Sequence, residues 1–119
     1  MNTGEQYADK AKAMLPLSEA TYLILLALTE PKHGYGIMQT VSASGVKLGP
    51  GTLYGALTNL LKQGLIERVG ESNGAPDNDR RKLYALTPLG GTVVHMEYER
   101  LESMVRIGQQ ILTRSRGTK

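Results

Sequence analysis

A chain of 119 residues, 40% apolar and 21% charged, has the composition of one globular domain, or a small domain with an added helix, and is neither collagen-like nor disordered throughout. It has no Cys, which excludes disulfide scaffolds, thiolate zinc sites and cysteine nucleophiles. The net charge of +3 is a weak pointer to an anionic partner.

The longest apolar run, Tyr22 to Leu28, is far too short to cross a bilayer. No signal-peptide core follows Met1, so no membrane partner is expected and the expected location is cytoplasmic. Residues 5–15 read as a helix with Tyr7, Ala8, Ala11, Met14 and Leu15 on one side, closed by Pro16. Ser18 is an N-cap, because its hydroxyl accepts from a free amide of the first turn. Leu17 and Tyr22 occupy the positions of a hydrophobic staple. The helix from Glu19 to Thr29 is apolar nearly all round, which marks it as the buried core helix.

After Pro31, His33-Gly34-Tyr35-Gly36 opens a helix to about Ser44, with Ile37 and Val41 facing in and Gly45 closing it. Pro50 suits a first helical position, where its missing amide proton costs nothing. The helix from Pro50 to Gln63 carries the stripe Leu53, Leu57, Leu60 and Leu61, and Gly64 ends it. Its other face holds Thr52, Tyr54, Gly55, Thr58, Asn59 and Lys62. Leu65–Val69 and Lys82–Leu86 read as strands, joined by a loop rich in turn residues between Glu71 and Arg80. Thr87-Pro88 launches a last helix to about Arg114.

Short helices followed by a two-stranded hairpin form a winged helix-turn-helix, so the fold class is mainly α with a β-hairpin wing and a long C-terminal helix. The expected organisation is an N-terminal arm at 1–16 in contact with a dimer mate, a winged domain at 17–87, a dimerisation helix at 88–114 and a disordered tail at 115–119. The Pro50–Gln63 helix is the element that would enter the major groove of double-stranded DNA. Thr52, Tyr54 and Asn59 offer groups for base edges. Phosphate contacts would come from Tyr35, amides near Gly36 and Gly51, and Lys47, Lys62, Arg80 and Arg81. Pattern alone leaves two alternatives open: a leucine-rich core helix with an ordinary solvated face, or a winged-helix module that docks another protein.

On these residues a resemblance becomes specific. His33-Gly34-Tyr35-Gly36-Ile37, Leu48-Gly49-Pro50-Gly51-Thr52-Leu53-Tyr54, Gly64-Leu65-Ile66-Glu67 and Asp79 through Gly90 resemble, in order and spacing, the PadR family of bacterial transcription regulators. The resemblance covers about residues 15–91, and the single helix after the hairpin is similar to the family's short form. It implies a homodimeric winged-helix repressor. It further implies that Tyr35 and Gly36 approach the DNA backbone, that Pro50, Thr52, Leu53 and Tyr54 begin the recognition helix, and that Arg80 and Arg81 belong to the wing. The chain departs from the family in having Gly55 and Thr58-Asn59 where basic residues are common, which leaves Lys62 as the one charge on the reading helix.

In the last helix Val94, Tyr98, Leu101, Val105, Gly108 and Leu112 recur at spacings of a coiled-coil seam. A second row, Leu89, Val93, Met96, Met104, Ile107 and Ile111, widens the apolar face. The seam is expected to meet a second copy and the other row its own domain or the partner's N-terminal helix, with a helix folded back on its own domain as the alternative. A two-fold dimer would hold its reading helices about 34 Å apart, matching an inverted repeat. Some short-form relatives sandwich flat aromatic drugs with a Trp at the position that corresponds to Leu101, one turn after Tyr98. Lacking Trp, this chain is left with room for a small apolar effector among Met14, Leu15, Val94, Tyr98 and Leu101, or with those side chains simply packing the interface.

Nothing points to catalysis, a metal or a cofactor. His33 and His95 stand on different elements with no ligand spacing around them. The glycines from Gly45 to Thr52 lack the phosphate-loop order. Glu97, Glu99 and Glu102 alternate with Arg100 and Arg106, the pattern of a solvated helix face.

Overall fold

A computed structural model of the chain describes residues 3–71 and 82–117. Five helices and three strands follow in the order α1 (Thr3–Ala13), α2 (Glu19–Ala27), β1 (Lys32–His33), α3 (Gly34–Ala43), α4 (Pro50–Lys62), β2 (Ile66–Glu71), β3 (Lys82–Leu86) and α5 (Pro88–Gly117). The winged helix-turn-helix is the observed architecture. The hairpin gains a third strand, in the order β1-β3-β2, all antiparallel, with Lys32 opposite Tyr84 and Ile66 opposite Leu86. A strand of two residues carries no alternation to read, which is why β1 was not expected from the pattern. Register slips between Arg68 and Glu71, a bulge at the top of the wing stem.

Local chemistry sets the helix ends. The Ser18 hydroxyl accepts from the Thr21 amide at 3.1 Å, and Leu17 and Tyr22 both pack on the core beside it. Gly45 and Gly64 close α3 and α4 with φ of +92° and +77°, a conformation that suits glycine. The Thr87 hydroxyl accepts from the Gly90 amide at 3.0 Å and donates to the Gly64 carbonyl at 2.6 Å, so one side chain caps α5 and ties it to the end of α4. Two boundaries differ from expectation. α1 ends at Ala13, which puts Met14 and Leu15 beyond the helix, and α5 continues through Gly117 rather than stopping at Arg114 with a tail from 115.

Ile24, Leu25 and Leu28 of the α2 segment meet Ile37 and Val41 of α3, Leu53, Leu57 and Leu60 of α4, and Tyr84 of β3 in one core. α2 is less uniform than its composition implies, since Leu26 is exposed. Ala11 of α1 and Leu89, Val93 and Val94 of α5 join the same core, so packing runs across the expected borders at 17 and 87. α1 lies against α5 of its own chain.

The apolar rows of α5 divide along the helix rather than around it. Leu89 and Val93 of the second row are buried, and so is Val94, the first member of the expected seam. Val94 therefore belongs to its own domain and is removed from the dimer contacts. Beyond Leu101, Met104, Val105, Ile107, Ile111 and Leu112 from both rows are all at least half exposed. Thirty residues of helix reach about 45 Å, so the far half of α5 projects from a body that covers only its beginning. Among the described residues no helix is long and apolar enough to cross a membrane.

Candidate nucleic-acid interface

α4 turns Leu53, Leu57 and Leu60 into the core and leaves Pro50, Gly51, Thr52, Gly55, Thr58, Asn59 and Lys62 exposed. Stripe and opposite face are the geometry a reading helix requires. Leu53 is a correction: it is fully buried, so it anchors α4 and cannot reach a base edge. The spacing that placed it in the apolar stripe was the better guide. The Thr58 hydroxyl donates to the Tyr54 carbonyl at 2.9 Å, which leaves its oxygen as an acceptor toward solvent.

Tyr54 is half-buried, its ring seated against Gly34 at the start of α3. A Cβ at Gly34 would run into the Tyr54 ring and hydroxyl. The glycine of the His33-Gly34-Tyr35-Gly36 motif thus makes room for the tyrosine of the Pro50-Gly51-Thr52-Leu53-Tyr54 motif. Nothing in the sequence marks Gly34 for this role, because the pairing joins two motifs through space.

Tyr35 is 66% exposed on the outer side of α3. His33 caps α3 and Gly49 caps α4 without a side-chain hydrogen bond, so amides of both first turns, at Tyr35, Gly36, Gly51 and Thr52, have no side-chain cap. Lys47 and Lys62 are exposed at the approach to α4 and at its end. The Lys32 ammonium, by contrast, donates to the Ala27 carbonyl at 2.8 Å and closes the end of α2. His33 Nδ1 lies 2.9 Å from the Lys82 carbonyl and so pins the start of α3 to the wing stem. Arg80 and Arg81 lie outside the described residues.

Of the residues named for an effector, Met14 and Leu101 line two clefts that meet at Leu17. Met14 lines a cleft of about 340 Å³ with Ala13, Ala56 and Asn59. Leu101 lines another of about 440 Å³ with Leu17, Tyr22, Leu23, Glu97 and Arg100. Val94 is buried and Tyr98 half exposed.

Glu97 overturns the reading of a solvated acidic face. Its side chain is 1% exposed. It accepts from the Leu17 amide at 2.9 Å and from the Arg100 guanidinium at 2.6 and 2.9 Å. The Arg100 hydrogen bonds hold its carboxyl below the usual range, against the upward push of burial, and the Leu17 amide adds to the lowering. Burial pushes the Tyr22 hydroxyl up, with help from the negative Glu97 and from Tyr98. Position, not charge, was the overlooked signal: 97 lies three and four residues after the buried Val94 and Val93. Glu99 and Glu102 do face solvent, paired at 3.5 Å with His95 and 3.3 Å with Arg106.

Comparison with known proteins agrees with this geometry. A model of the transcriptional regulator PadR-like family matches residues 23–96. The chain is 34% identical over 88 residues to the transcriptional regulator Rv3488 of Mycobacterium tuberculosis, covering 72% of this chain and 79% of that protein. It is also 34% identical over 96 residues to an uncharacterized 37.1 kDa protein in transposon Tn4556 of Streptomyces fradiae, covering 79% of this chain. The chain spans only 25% of that longer protein. The crystal structure of a PadR family transcription regulator from Clostridium difficile R20291 superposes with a TM-score of 0.68 at 27% identity, covering 80% of this chain and 99% of that one.

Proposed function

The chain belongs to the PadR-like family of transcriptional regulators, and from that premise we propose that it acts as a homodimeric repressor reading an inverted-repeat operator in double-stranded DNA. DNA-binding regulation is the family's function, and the matched relatives of known role are regulators rather than enzymes.

One observation carries the dimer: the projecting half of α5 exposes Met104, Val105, Ile107, Ile111 and Leu112 together. Apolar surface of that extent on a helix with coiled-coil spacing is stabilised by burial against a like helix. Tyr98, Leu101, Val105, Gly108 and Leu112 form the contact, with α1 alongside. Two α4 helices then face adjacent turns of the major groove. Thr52 and Asn59 read base edges, Tyr54 supports them from its seat against Gly34 rather than reading a base itself, and Tyr35, Gly36, Pro50, Lys47, Lys62, Arg80 and Arg81 position the backbone. A small apolar effector that relieves repression would sit beside Leu101, where a cleft lined by Leu17, Tyr22 and Leu23 adjoins the proposed dimer contact.

A near-neutral reading face favours a second reading, in which the same surface docks a protein. Selection of bound duplexes from a random pool, with a salt titration, separates the two. The repressor reading expects an inverted repeat and affinity that falls steeply with salt. No duplex binding even at low ionic strength would favour the protein-docking module.

A further inference from the structure

We infer that Glu97 is a positioning residue: its bond to the Leu17 amide, with the carboxylate oriented by Arg100 one turn further along the same helix, sets the angle at which α5 leaves the winged-helix body, and so the separation of the two reading helices. The inference rests on the dimeric reading above.

Glu97 is the last buried side chain on α5 among those described, and everything beyond Leu101 that projects is exposed or half-exposed. Half-buried Arg100 and Leu101 line a cleft with Leu17, Tyr22 and Leu23 just beyond it, so Glu97 is the last fully buried anchor of the helix rather than its last contact. Its partner Leu17 directly precedes the cap of α2, so a bond spanning 80 residues joins the dimer helix to the first helix of the reading domain. Apolar packing at Val93 and Val94 supplies no directional bond, whereas the Glu97 carboxylate accepts the Leu17 amide and is itself held in one orientation by the Arg100 fork of its own helix. From Glu97 to Gly117 the helix runs about 30 Å, so a tilt of about 10° moves its end by about 5 Å. That exceeds the rise of one base pair, about 3.4 Å.

An ion pair with Glu97 buried and Arg100 35% exposed is a poor source of net stability, and apolar replacements of such pairs are often tolerated. What Arg100 supplies here is one orientation of the Glu97 carboxylate toward the Leu17 amide, the bond that ties α5 to the body. The double variant Glu97→Met with Arg100→Met keeps the volume and removes the directionality, and Glu97→Gln keeps an acceptor for Leu17 while losing the charge.

Because the chain lacks Cys, Ser42→Cys and Gln110→Cys create two unique labelling points, on α3 and far along α5. Spin-labelled chain diluted into unlabelled chain gives the distance within one protomer by pulsed electron resonance. Wild type should give one narrow distance, the double variant a broad distribution, and Glu97→Gln an intermediate one. In parallel, unlabelled proteins are offered duplexes whose half-sites differ in separation. The variants should keep the half-site sequence and lose preference for a single separation by roughly tenfold or more. A folded variant that keeps the narrow distance overturns the inference, as does a broadened distance with spacing preference intact. If wild type takes no paired half-sites, the operator reading fails instead, and the distances still decide whether Glu97 holds α5.

Discussion

The ring of Tyr54 occupies the space that a side chain on Gly34 would need. Two motifs far apart in the chain are joined at that point, and the start of α3 is thereby held against the first turns of the reading helix. Gly34→Ala should lower stability by about 1–3 kcal/mol through overpacking. Since the hydroxyl is the nearest obstacle, Tyr54→Phe in the same chain should recover part of the loss. Urea denaturation of the four proteins of the cycle checks the coupling; purely additive effects would mean the ring does not rest there.

On the reading face, side-chain type decides what is lost. Thr52→Ala and Asn59→Ala should each reduce discrimination between operator and random duplex by about 1–3 kcal/mol. Lys47→Ala and Lys62→Ala should weaken both duplexes alike and lower the salt slope by about one per phosphate contact. Leu53→Ala should cost about 2–5 kcal/mol of folding stability, with unchanged base preference in the fraction that folds. Anisotropy titrations on both duplexes at several salt concentrations separate these outcomes.

Charge placed on the projecting half of α5 should abolish association without unfolding the body. Leu112 is 65% exposed and absent from the core, so Leu112→Glu is expected to sediment as a monomer with a native far-ultraviolet spectrum. Operator affinity should drop while any weak binding to a single half-site survives. A Leu112→Glu chain that still sediments as the dimer would show that the contact lies elsewhere.

Acid should act through Glu97. Its carboxyl is held below the ordinary range in the folded chain, so ionisation favours the native state. That contribution is complete above the unfolded carboxylate value, about 4.3, and is lost as pH falls through the depressed folded value. Urea midpoints between pH 7 and pH 2.5 should therefore decline at the acid end for wild type and more gently for Glu97→Gln. Identical acid limbs in the two proteins would exclude this role.

Caps and helix starts were legible in the residues because their causes are local: Ser18 bonds its own helix, and Thr87-Pro88 does the same for α5. The α4 stripe was legible for the same reason, and Leu53 shows that spacing outweighed motif when the two disagreed. β1 was invisible because two residues cannot display a period. Glu97 is hard to see in the sequence because the alternation of charges along α5 masks its place on the buried stripe. The division of α5 left no local trace, since apolar spacing continues unchanged while the body beneath it stops.

That division has an evolutionary consequence. Residues up to Glu97 answer to folding, and those past Leu101 answer to whatever the helix meets outside its own chain. Substitutions in the distal stretch leave the protomer's interior untouched, so pairing strength and pairing partner are free to diverge among duplicated copies while each copy still folds.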